Sequence, residues 1–434
     1  MNIFISGIGG AGLGPLAEIA LDAGFSVAGS ELQHTLQTDE LEQRGVKIFY
    51  EQTAENLARY HAEKPIDWFI YTGALADDAP ELAFARENGI RASKRDEFLA
   101  EFIKEKNLQL LAVAGTHGKT TTTAMLVWVF HQLGHPVSYS VGATLPFGAS
   151  GNYDPTARFF VYEADEYDRN FLQFSPARSL IVSLDYDHAD VYKTKEDYND
   201  AFRQFIDQSG QTILWRTAAE QLELESTDEN STILDGKVPR DEINLVGGTM
   251  RMNAKLVLEM LREVLDDFNE AEIKKILADF PGTSRRFEKL FDNLYTDYAH
   301  APAEIAATLE RARETVQETG QKIVAVYQPH QNLRQTEIAK EGGYSDSFNG
   351  ADKIYWVPTY LVRGDLVESA PAVLSSNDLI KTLSESVQEV AKSAELDDNL
   401  WKVIQEHLAN NDLVIIMGAG PIDNWLRDKL FGQK

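Results

Sequence analysis

The chain has 434 residues and a formal net charge of −27, from 68 acidic and 41 basic side chains. At roughly 150 residues per domain, this length predicts about three domains, each with a core of its own. The acidic excess argues against a nucleic-acid partner, which requires a basic face. Because the sequence contains no cysteine, it excludes disulfides, thiolate nucleophiles and cysteine-ligated metals.

The sequence shows no targeting or membrane signal. Its first residues lack the charged start and long apolar core of a signal peptide. No stretch approaches the roughly 18 uninterrupted apolar residues of a membrane span. We therefore expect a cytoplasmic protein that neither binds nucleic acid nor inserts into a membrane. We separately predict a monomer or weak dimer that acts on small molecules.

Short apolar runs alternate with longer amphipathic stretches, which is the pattern of α/β architecture. Most runs are continuous, as in strands that helices cover on both faces. The polar segment 217–244 is predicted to form loops or weak strands. The predicted strands cover residues 2–6, 26–30, 67–72, 108–114, 158–163, 179–184, 322–328, 353–358 and 412–418.

Two breaks divide the chain into three predicted segments. One lies near residues 100–107, where a helical stretch ends and a new strand begins, and Pro281 and Gly282 mark the other. The predicted segments are 1–104, 105–283 and 284–434. Each opens on or near a strand suited to a doubly wound sheet.

A glycine-rich turn follows the first predicted strand and precedes an amphipathic helix. Gly7, Gly9 and Gly12 have the GxGxxG spacing, and Glu31 follows the second strand. Such a turn holds a diphosphate against the N-terminus of a helix. The generic interpretation is the dinucleotide site of an NAD-dependent oxidoreductase, although UDP supplies the same diphosphate. Glycines that serve tight packing alone are the structural alternative.

A second loop lies in LQLLAVAGTHGKTTTT (108–123), between a buried strand and a helix that is apolar on nearly every side. Its glycines allow backbone N–H groups to turn towards a phosphate. Lys119 would reach the β- and γ-phosphates, and the hydroxyl of Thr120 would ligate Mg²⁺. The general phosphate loop has a further glycine five residues before Gly118, where this chain has Val113, so the generic match is incomplete.

Acidic residues and a histidine follow two of the predicted strands. Glu163, Asp165 and Glu166 end one strand, and Asp187 and His188 follow the next. The carboxyl ends of parallel strands border the ligand crevice, where carboxylates can hold Mg²⁺ against phosphate oxygens. A solvated acidic rim is the alternative in so acidic a chain.

Taken together, these motifs resemble those of the Mur ligase family, the ATP-dependent amide-forming enzymes of peptidoglycan precursor synthesis. The resemblance rests on GIGGAG, GTHGKT, EADE, the DH of YDHAD, RRF, DYAH and QPH, which span nearly the whole chain. It implies an α/β protein of three domains. These are a Rossmann-like UDP-binding N-terminal domain, a central P-loop ATPase-type domain and a Rossmann-like C-terminal domain that binds the amino substrate.

The resemblance also implies ATP and Mg²⁺ as cofactors and a set of site residues. The implied UDP-sugar site is Gly7, Gly9, Gly10, Ala11, Gly12, Ser30 and Glu31. The implied ATP site is Gly115, Thr116, His117, Gly118, Lys119, Thr120, Thr121, Asn253, Arg286 and Asp297. The implied metal ligands are Thr120, Glu163 and His188. The implied catalytic residues are Lys119, Glu163, His188, His300 and Arg334.

Three positions depart from the family motifs. Gln331 replaces the first arginine of QPHRxxR, the motif that contacts the carboxylate of the incoming amino acid, and leaves Arg334. Ala301 replaces the second histidine of DYxHHP, and of a His-Asn pair and a final asparagine only Asn253 remains. Because glutamine cannot match a carboxylate as a guanidinium does, the identity of the amine stays open.

The activity implied is the ATP-dependent joining of an amine to the lactoyl carboxylate of UDP-N-acetylmuramate through an acyl phosphate. L-Alanine is the first choice of amine, and the tripeptide L-alanyl-γ-D-glutamyl-diaminopimelate is the second. A non-catalytic UDP-sugar-binding relative is a further alternative, and the NAD-dependent oxidoreductase is the least favoured. The organisation in three segments also predicts that the third closes over the site during catalysis.

Overall fold

The computed structural model describes residues 1–73, 75–188, 191–225, 230–366 and 371–432. They form two compact units: unit 1 contains residues 1–236 and 253–281, and unit 2 contains residues 237–252 and 282–434. Within the described ranges, no helix combines the length and the apolar character that a bilayer crossing needs.

The first sheet of unit 1 has five parallel strands. They are β1 (Asn2–Ser6), β2 (Ser26–Ser30), β3 (Lys47–Phe49), β4 (Trp68–Tyr71) and β5 (Arg91–Lys94). Their helices are α1 (Leu13–Asp22), α2 (Leu36–Gln43), α3 (Ala54–Glu63), α4 (Pro80–Glu87) and α5 (Arg95–Glu105). The spatial order is β3-β2-β1-β4-β5, with β1 at the centre. Because the strands are parallel, the loops that follow β1, β2 and β5 leave the same edge of the sheet.

The second sheet of unit 1 has seven strands in the order β12-β11-β10-β6-β9-β7-β8, of which β8 alone runs antiparallel to its neighbour. They are β6 (Gln109–Ala114), β7 (Val137–Ser140), β8 (Gly151–Asn152), β9 (Phe159–Glu163), β10 (Arg178–Ile181), β11 (Thr212–Trp215) and β12 (Ser231–Leu234). The helices are α6 (Lys119–Gln132), α7 (Lys195–Asp207), α8 (Arg216–Gln221), α9 (Gly248–Val264) and α10 (Glu270–Ala278), with a 3₁₀ segment at Tyr167–Gln173. Helix α9 begins in unit 2 and ends in unit 1.

Unit 2 contains a six-stranded sheet in the order β13-β14-β18-β15-β16-β17, with β13 antiparallel to β14. Its strands are β13 (Glu288–Phe291), β14 (Leu294–Asp297), β15 (Ile323–Tyr327), β16 (Lys353–Trp356), β17 (Ala391–Ser393) and β18 (Leu413–Met417). Its helices are α11 (Pro302–Val316), α12 (Asn332–Lys340), α13 (Ser376–Ile380), α14 (Glu385–Gln388), α15 (Asp398–Ala409) and α16 (Ile422–Phe431), with a 3₁₀ turn at Arg363–Leu366.

Helix α6 is buried on nearly every side, as its sequence predicts. Met125, Leu126 and Val129 have no exposed surface, and the helix packs against β6, β9 and α10. Each such apolar side chain contributes about 1.5–3 kcal/mol of transfer free energy when buried. The Trp128 indole donates to the carbonyl of Ile276 at 2.9 Å. These contacts fix the position of the N-terminus of α6.

The two sheets of unit 1 are joined through α1 and β8. The buried carboxylate of Glu18 on α1 accepts hydrogen bonds from Gly151 N at 2.6 Å and from the Ser150 hydroxyl at 2.9 Å. A Cβ added at Gly151 would lie 2.1 Å from the carbonyl oxygen of Pro15, so only glycine permits this approach.

The α/β class is confirmed, and among the predicted strands the end of 179–184 differs most from the structure. The predicted strand 179–184 ends at Ile181. Beyond it, Val182 N donates to Ala114 O at 2.9 Å, and Ser183 O accepts from the loop after β6 at 3.1 Å. The chain therefore leaves the sheet to support that loop.

The polar segment 217–244 contains most of α8 and the strand β12. Strand β12 pairs in parallel with β11 at the edge of the seven-stranded sheet, which agrees with the prediction of a weak strand. Residues 226–229 of this segment lie outside the described residues.

Candidate functional site

The loop between β6 and α6 has a backbone that requires glycine. Gly115 has φ +132° and Gly118 has φ +84°, which side-chain-bearing residues rarely adopt. A Cβ at Gly115 would lie 2.7 Å from the carbonyl oxygen of Ser183. The loop delivers the chain to Lys119, the first residue of α6, where the backbone N–H groups lack intrahelical partners. Such a helix start is suited to a phosphate.

Lys119 forms a buried ion pair within this loop. Its Nζ donates to Glu166 Oε2 at 2.6 Å and to Gly115 O at 2.7 Å. Burial alone would lower the pKa of Lys119, but Glu166, Asp165 and Glu163 together outweigh it and the pKa is raised. Burial would raise the pKa of Glu166, but the ammonium lowers it. Both groups are therefore ionised at neutral pH.

The three predicted metal ligands take part in two side-chain contacts. Thr120 Oγ1 donates to Glu163 Oε1 at 2.7 Å. His188 Nε2 lies 3.5 Å from Glu166 Oε1, a buried oxygen that has no hydrogen bond. Burial would lower the pKa of His188, but its interaction with Glu166 raises it. The Glu163 carboxylate and the Thr120 hydroxyl are the oxygen ligands that Mg²⁺ prefers, so these two residues fit that ion, whereas the imidazole of His188 is engaged by Glu166.

The remaining loop residues have mainly structural contacts. The Thr116 hydroxyl lies 2.8 Å from the backbone N and O of Asp185, and His117 N donates to the Ser183 hydroxyl at 2.8 Å. Thr121 lies in the first turn of α6 and is buried. These bonds hold the loop against the chain that follows β10.

Asn253 also lies beside the phosphate loop. It is buried on α9, and a Cβ at Gly118 would lie 3.1 Å from its Nδ2. Its implied role of reading adenine stays a prediction.

The N-terminal glycine turn is held by groups from the ends of β1 and β2. Gly7 N donates to Ser30 O at 2.8 Å, and Gly9 N donates to the carboxylate of Glu31 at 2.9 Å. The side chain of Ser30 is fully buried and donates to Glu81 Oε2 at 2.8 Å, as Ser6 does at 2.6 Å. Ser30 therefore supports the turn from below, whereas Glu31 lines the cleft above it.

A cleft of about 460 Å³ opens over this turn, within unit 1. One wall comes from the first sheet and the other from the acidic loop after β9. The lining residues include Gly7, Gly10, Ala11, Gly12, Glu31, Gln52, Lys94, Arg95, Asp165 and Asp168. The structure thus brings the predicted UDP-sugar loop and the EADE segment to one cavity.

Two basic residues of this cleft, Lys94 and Arg95, were absent from the sequence prediction. Arg95 is held by Asp96 at 3.0 Å, and its Nη1 would lie 2.0 Å from a Cβ at Gly12. The available signal was a Lys-Arg pair directly after a strand. It was overlooked because β5 (RASK) carries no apolar run.

In unit 2, Asp297 is buried and organises its own surroundings. Its carboxylate accepts from Phe287 N at 2.6 Å and from Ala299 N at 2.7 Å. Burial raises the pKa of Asp297 against the effect of the nearby Arg286. Arg286 lies 3.9 Å from Glu304 Oε1. Their implied contacts with ATP stay predictions.

His300 forms a small aromatic cluster in unit 2. Its Nδ1 lies 3.1 Å from Glu304 Oε2, and its ring centroid lies 6.1 Å from that of His330. Burial would lower the pKa of His300, but Glu304 raises it. His330 stacks on Tyr360 at 5.6 Å and is a site candidate that the sequence prediction omitted, although it lies in the QPH motif.

Two of the positions that depart from the family motifs stand at helix starts. Gln331 has φ +61° and precedes α12, and Ala301 precedes α11. Arg334, one turn into α12, lies 3.1 Å from Glu337 Oε2. The retained arginine is therefore already ion-paired within its own helix.

Three parts of the chain match models of known protein families. Residues 2–107 match a model described as Mur ligase family, catalytic domain. Residues 113–254 match the Mur ligase middle domain, and residues 285–420 match the Mur ligase, glutamate ligase domain. The three matches cover most of the chain.

Similar curated proteins span nearly the same length. A UDP-N-acetylmuramate--L-alanine ligase of Levilactobacillus brevis is 32% identical over 97% of this chain and 95% of its own. A protein of the same name from Thermosynechococcus vestitus is 31% identical, over 99% of this chain and 95% of its own.

Solved structures of similar proteins also align with nearly the whole chain. The UDP-N-acetylmuramate-alanine ligase of Thermotoga maritima has a TM-score of 0.79 and 25% identity, with 100% of both chains covered. A murein peptide ligase of Psychrobacter arcticus has a TM-score of 0.68 at 21% identity, over 99% of this chain and 98% of that one. The second likeness supports the fold alone.

Proposed function

This chain belongs to the Mur ligase family, and from that premise we propose that it is an ATP-dependent ligase that joins UDP-N-acetylmuramate to L-alanine. The observation that carries the proposal is the phosphate loop. Gly115 and Gly118 take conformations that favour glycine, and Lys119, whose side chain is 15% exposed, begins α6. The full-length relatives of about 30% identity support the choice of substrates.

The reaction divides into two displacements. A lactoyl carboxylate oxygen attacks the γ-phosphorus of ATP, the bond to the β–γ bridging oxygen breaks, and ADP leaves. The amine nitrogen then attacks the acyl carbon, phosphate leaves, and the nitrogen loses a proton. Phosphorylation is needed because an unactivated carboxylate is a poor electrophile. The protein contributes mainly position and charge.

Lys119 is the residue best placed to neutralise charge that grows on the phosphates. Its ammonium is buried, and a fixed charge in a water-poor site stabilises a transition state more than one in bulk water. Glu166 holds that ammonium between the helix start and the acidic loop.

Thr120, Glu163 and His188 would hold Mg²⁺. When bound, that ion supplies charge neutralisation of the phosphate oxygens and orients them. Glu166 Oε1 is buried and lies 3.5 Å from His188 Nε2, so Glu166 holds the imidazole beside the acidic loop.

The UDP-sugar is assigned to the cleft over the glycine turn. Gly10, Ala11 and Gly12 line it at the N-terminus of α1, where the helix dipole favours a diphosphate. The boundaries 1–104, 105–283 and 284–434 are part of the proposal, with ATP, the sugar and the amine assigned to the middle, first and third segments. A cytoplasmic monomer or weak dimer is likewise proposed, since ATP and nucleotide sugars are cytoplasmic metabolites.

One assay tests the proposal and its alternatives. Phosphate release is measured with UDP-N-acetylmuramate, ATP and Mg²⁺, while L-alanine, L-serine, glycine or the tripeptide is added in turn. Release that depends on L-alanine supports the proposal. Phosphate release with the tripeptide alone would show that the tripeptide, and not L-alanine, is the amine substrate. The tripeptide is tested because Gln331 replaces an arginine of the family motif. If no amine supports phosphate release, the protein is a UDP-sugar-binding relative without ligase activity.

A further inference from the structure

An ion pair crosses the mouth of the UDP-sugar cleft. The ammonium of Lys94, at the end of β5, is hydrogen-bonded to the carboxylate of Asp168, in the loop after β9. Both residues line the cleft, and each side chain is about two-fifths exposed, at 44% and 41%. The pair lies 74 residues apart in the chain, so it joins two walls of one cavity.

The backbone that presents Asp168 is unusual. Asp168 and Arg169 are consecutive non-glycine residues in the left-handed region, with φ of +52° and +56°. Such strain persists only where neighbouring contacts hold it, and it collects at functional sites. Here Arg169 is anchored by Asp197 at 2.5 Å and lies 5.0 Å over the ring of Tyr192. Arg169 therefore points to one side while Asp168 is turned to Lys94.

The wall that Asp168 faces carries two cations, Lys94 and Arg95. Lys94 is followed by Arg95, whose guanidinium packs against Gly12 at the N-terminus of α1. A helix N-terminus carries about half a positive charge. Arg95 is already paired with Asp96 at 3.0 Å, so Lys94 is the cation of this wall to which Asp168 binds. In the structure, the Asp168 carboxylate meets one of these cations, Lys94.

We propose that Lys94 binds a phosphate of the UDP-sugar and that Asp168 occupies Lys94 in the free protein, as an internal competitor that the substrate displaces. The inference rests on the proposed function, because it takes the cleft to hold a nucleoside diphosphate sugar. Asp168 then acts as a specificity-determining residue. A ligand exchanges for it only by bringing more negative charge than one carboxylate.

The exchange favours diphosphates over less charged ligands. A diphosphate reaches both the start of α1 and Lys94, and it replaces one carboxylate charge by two or more. Uridine brings no charge that could replace Asp168, and a monophosphate is too short to reach both groups with separate phosphates. Because the pair is exposed, the energies are modest and salt-dependent.

The test measures dissociation constants by calorimetry for UDP and UMP at low ionic strength. Asp168→Asn keeps the shape of the side chain, and asparagine tolerates the left-handed backbone. We expect it to tighten UDP binding roughly two- to fivefold, the range of an exposed ion pair, and to tighten UMP binding more. Lys94→Gln should weaken UDP binding by a similar factor.

The double variant Lys94→Gln/Asp168→Asn isolates the coupling. If Asp168 acts through Lys94, the gain from Asp168→Asn disappears in the Lys94→Gln background. Glu101→Gln is the matched control, because it breaks an ion pair of similar exposure, with Arg91, outside the cleft lining. It should leave both dissociation constants unchanged.

Several results would overturn the inference. They are unchanged or weaker UDP binding by Asp168→Asn, an equal gain in the Lys94→Gln background, and an equal gain for UDP and UMP. Thermal unfolding of each variant shows that it is folded. Failure of the proposed function looks different, since the unmodified protein would then bind neither UDP nor UDP-N-acetylmuramate.

Discussion

At the scale of single residues, Lys119 raises a question of competition. Its ammonium already has a carboxylate and a carbonyl as partners, so the phosphates of ATP must join or replace them. Glu166 cannot simply be left alone, because a buried carboxylate without its cation costs several kcal/mol. The pair therefore positions the lysine and also sets how any mutation of it must be designed.

Lys119→Ala should reduce turnover by at least ~10²-fold, because it removes a charge stabiliser from the phosphoryl transfer. Affinity for the UDP-sugar should change less than about twofold, since Lys119 is not part of the cleft lining. Phosphate release and calorimetry measure the two quantities.

The single variant Lys119→Ala leaves the buried carboxylate of Glu166 without its cation. The double variant Lys119→Ala/Glu166→Gln replaces that carboxylate by a neutral amide. Lys274→Ala is the control, because this lysine is ion-paired on α10. Full turnover in Lys119→Ala would remove the lysine from the mechanism.

A second prediction concerns Glu81, whose carboxylate joins the ends of β1 and β2. Burial raises its pKa, although the hydroxyls of Ser6 and Ser30 act in the opposite direction. The folded protein therefore holds the proton more tightly than the unfolded chain, whose pKa is about 4.3. The stability from this group is complete below that pH and is lost as the pH rises through the folded pKa.

Glu81→Gln is neutral at every pH, so it escapes this loss. The difference in Tm between Glu81→Gln and the unmodified protein should increase as the pH rises from about 4 to about 7. Glu87→Gln, on the exposed side of the same helix, should show no such trend. A difference independent of pH would mean that Glu81 titrates as an exposed glutamate does.

The phosphate loop shows how much of the candidate site the sequence can predict. Gly115, Gly118 and Lys119 follow one another between a strand and a helix, so local pattern sufficed. The contacts of Lys94 with Asp168 and of Ser6 with Glu81 join residues 74 and 75 positions apart. No local pattern carries such pairings, because they depend on which strand ends share an edge of a sheet.

At the scale of elements, a clear apolar run made a strand predictable, even one as short as β4 or β16, and strands without such a run were missed. Residues 109–114 and 413–417 form buried runs with a clear signal. Strands β3, β5 and β8 have two to four residues and few apolar side chains, so their pairing comes from neighbours rather than from their own sequence. The end of β10 was misplaced for a related reason, since its last apolar residues serve the phosphate loop.

The contact between α1 and β8 gives a prediction at this scale. Gly151→Ala would place a methyl group 2.1 Å from Pro15 O, which forces α1 and β8 apart. We expect a loss of roughly 3 kcal/mol or more in the free energy of unfolding, at the upper end of overpacking costs. The Tm of the variant measures it.

Gly89→Ala is the comparison. This glycine has φ +68° and open space around it, so it tests backbone strain without a clash and should cost about 1 kcal/mol. Equal losses in the two variants would show that α1 and β8 can move apart freely.

At the scale of the whole molecule, the described lining of the cleft that we propose for the UDP-sugar lies entirely in unit 1. UDP should therefore stabilise that unit. At a concentration of 100 times its Kd, the gain is about 2.7 kcal/mol. We expect hydrogen exchange to slow in the loops after β1, β2 and β5 and to stay unchanged in the strands of unit 2. Equal protection in both units would show that they unfold as one.

Helix α9 has a practical consequence for anyone who cuts this protein. Because residues 237–252 belong with the C-terminal unit and residues 253–281 with the N-terminal one, no single scission yields two intact halves. A fragment that stops at residue 281 would keep Arg251 but discard Glu314, its partner at 2.8 Å. Proteolytic nicking or gene truncation at the Pro281 boundary should thus produce a piece in which Arg251 keeps the carbonyls of Val238 and Leu245, while Arg251 and Gly247 N both lose the Glu314 carboxylate.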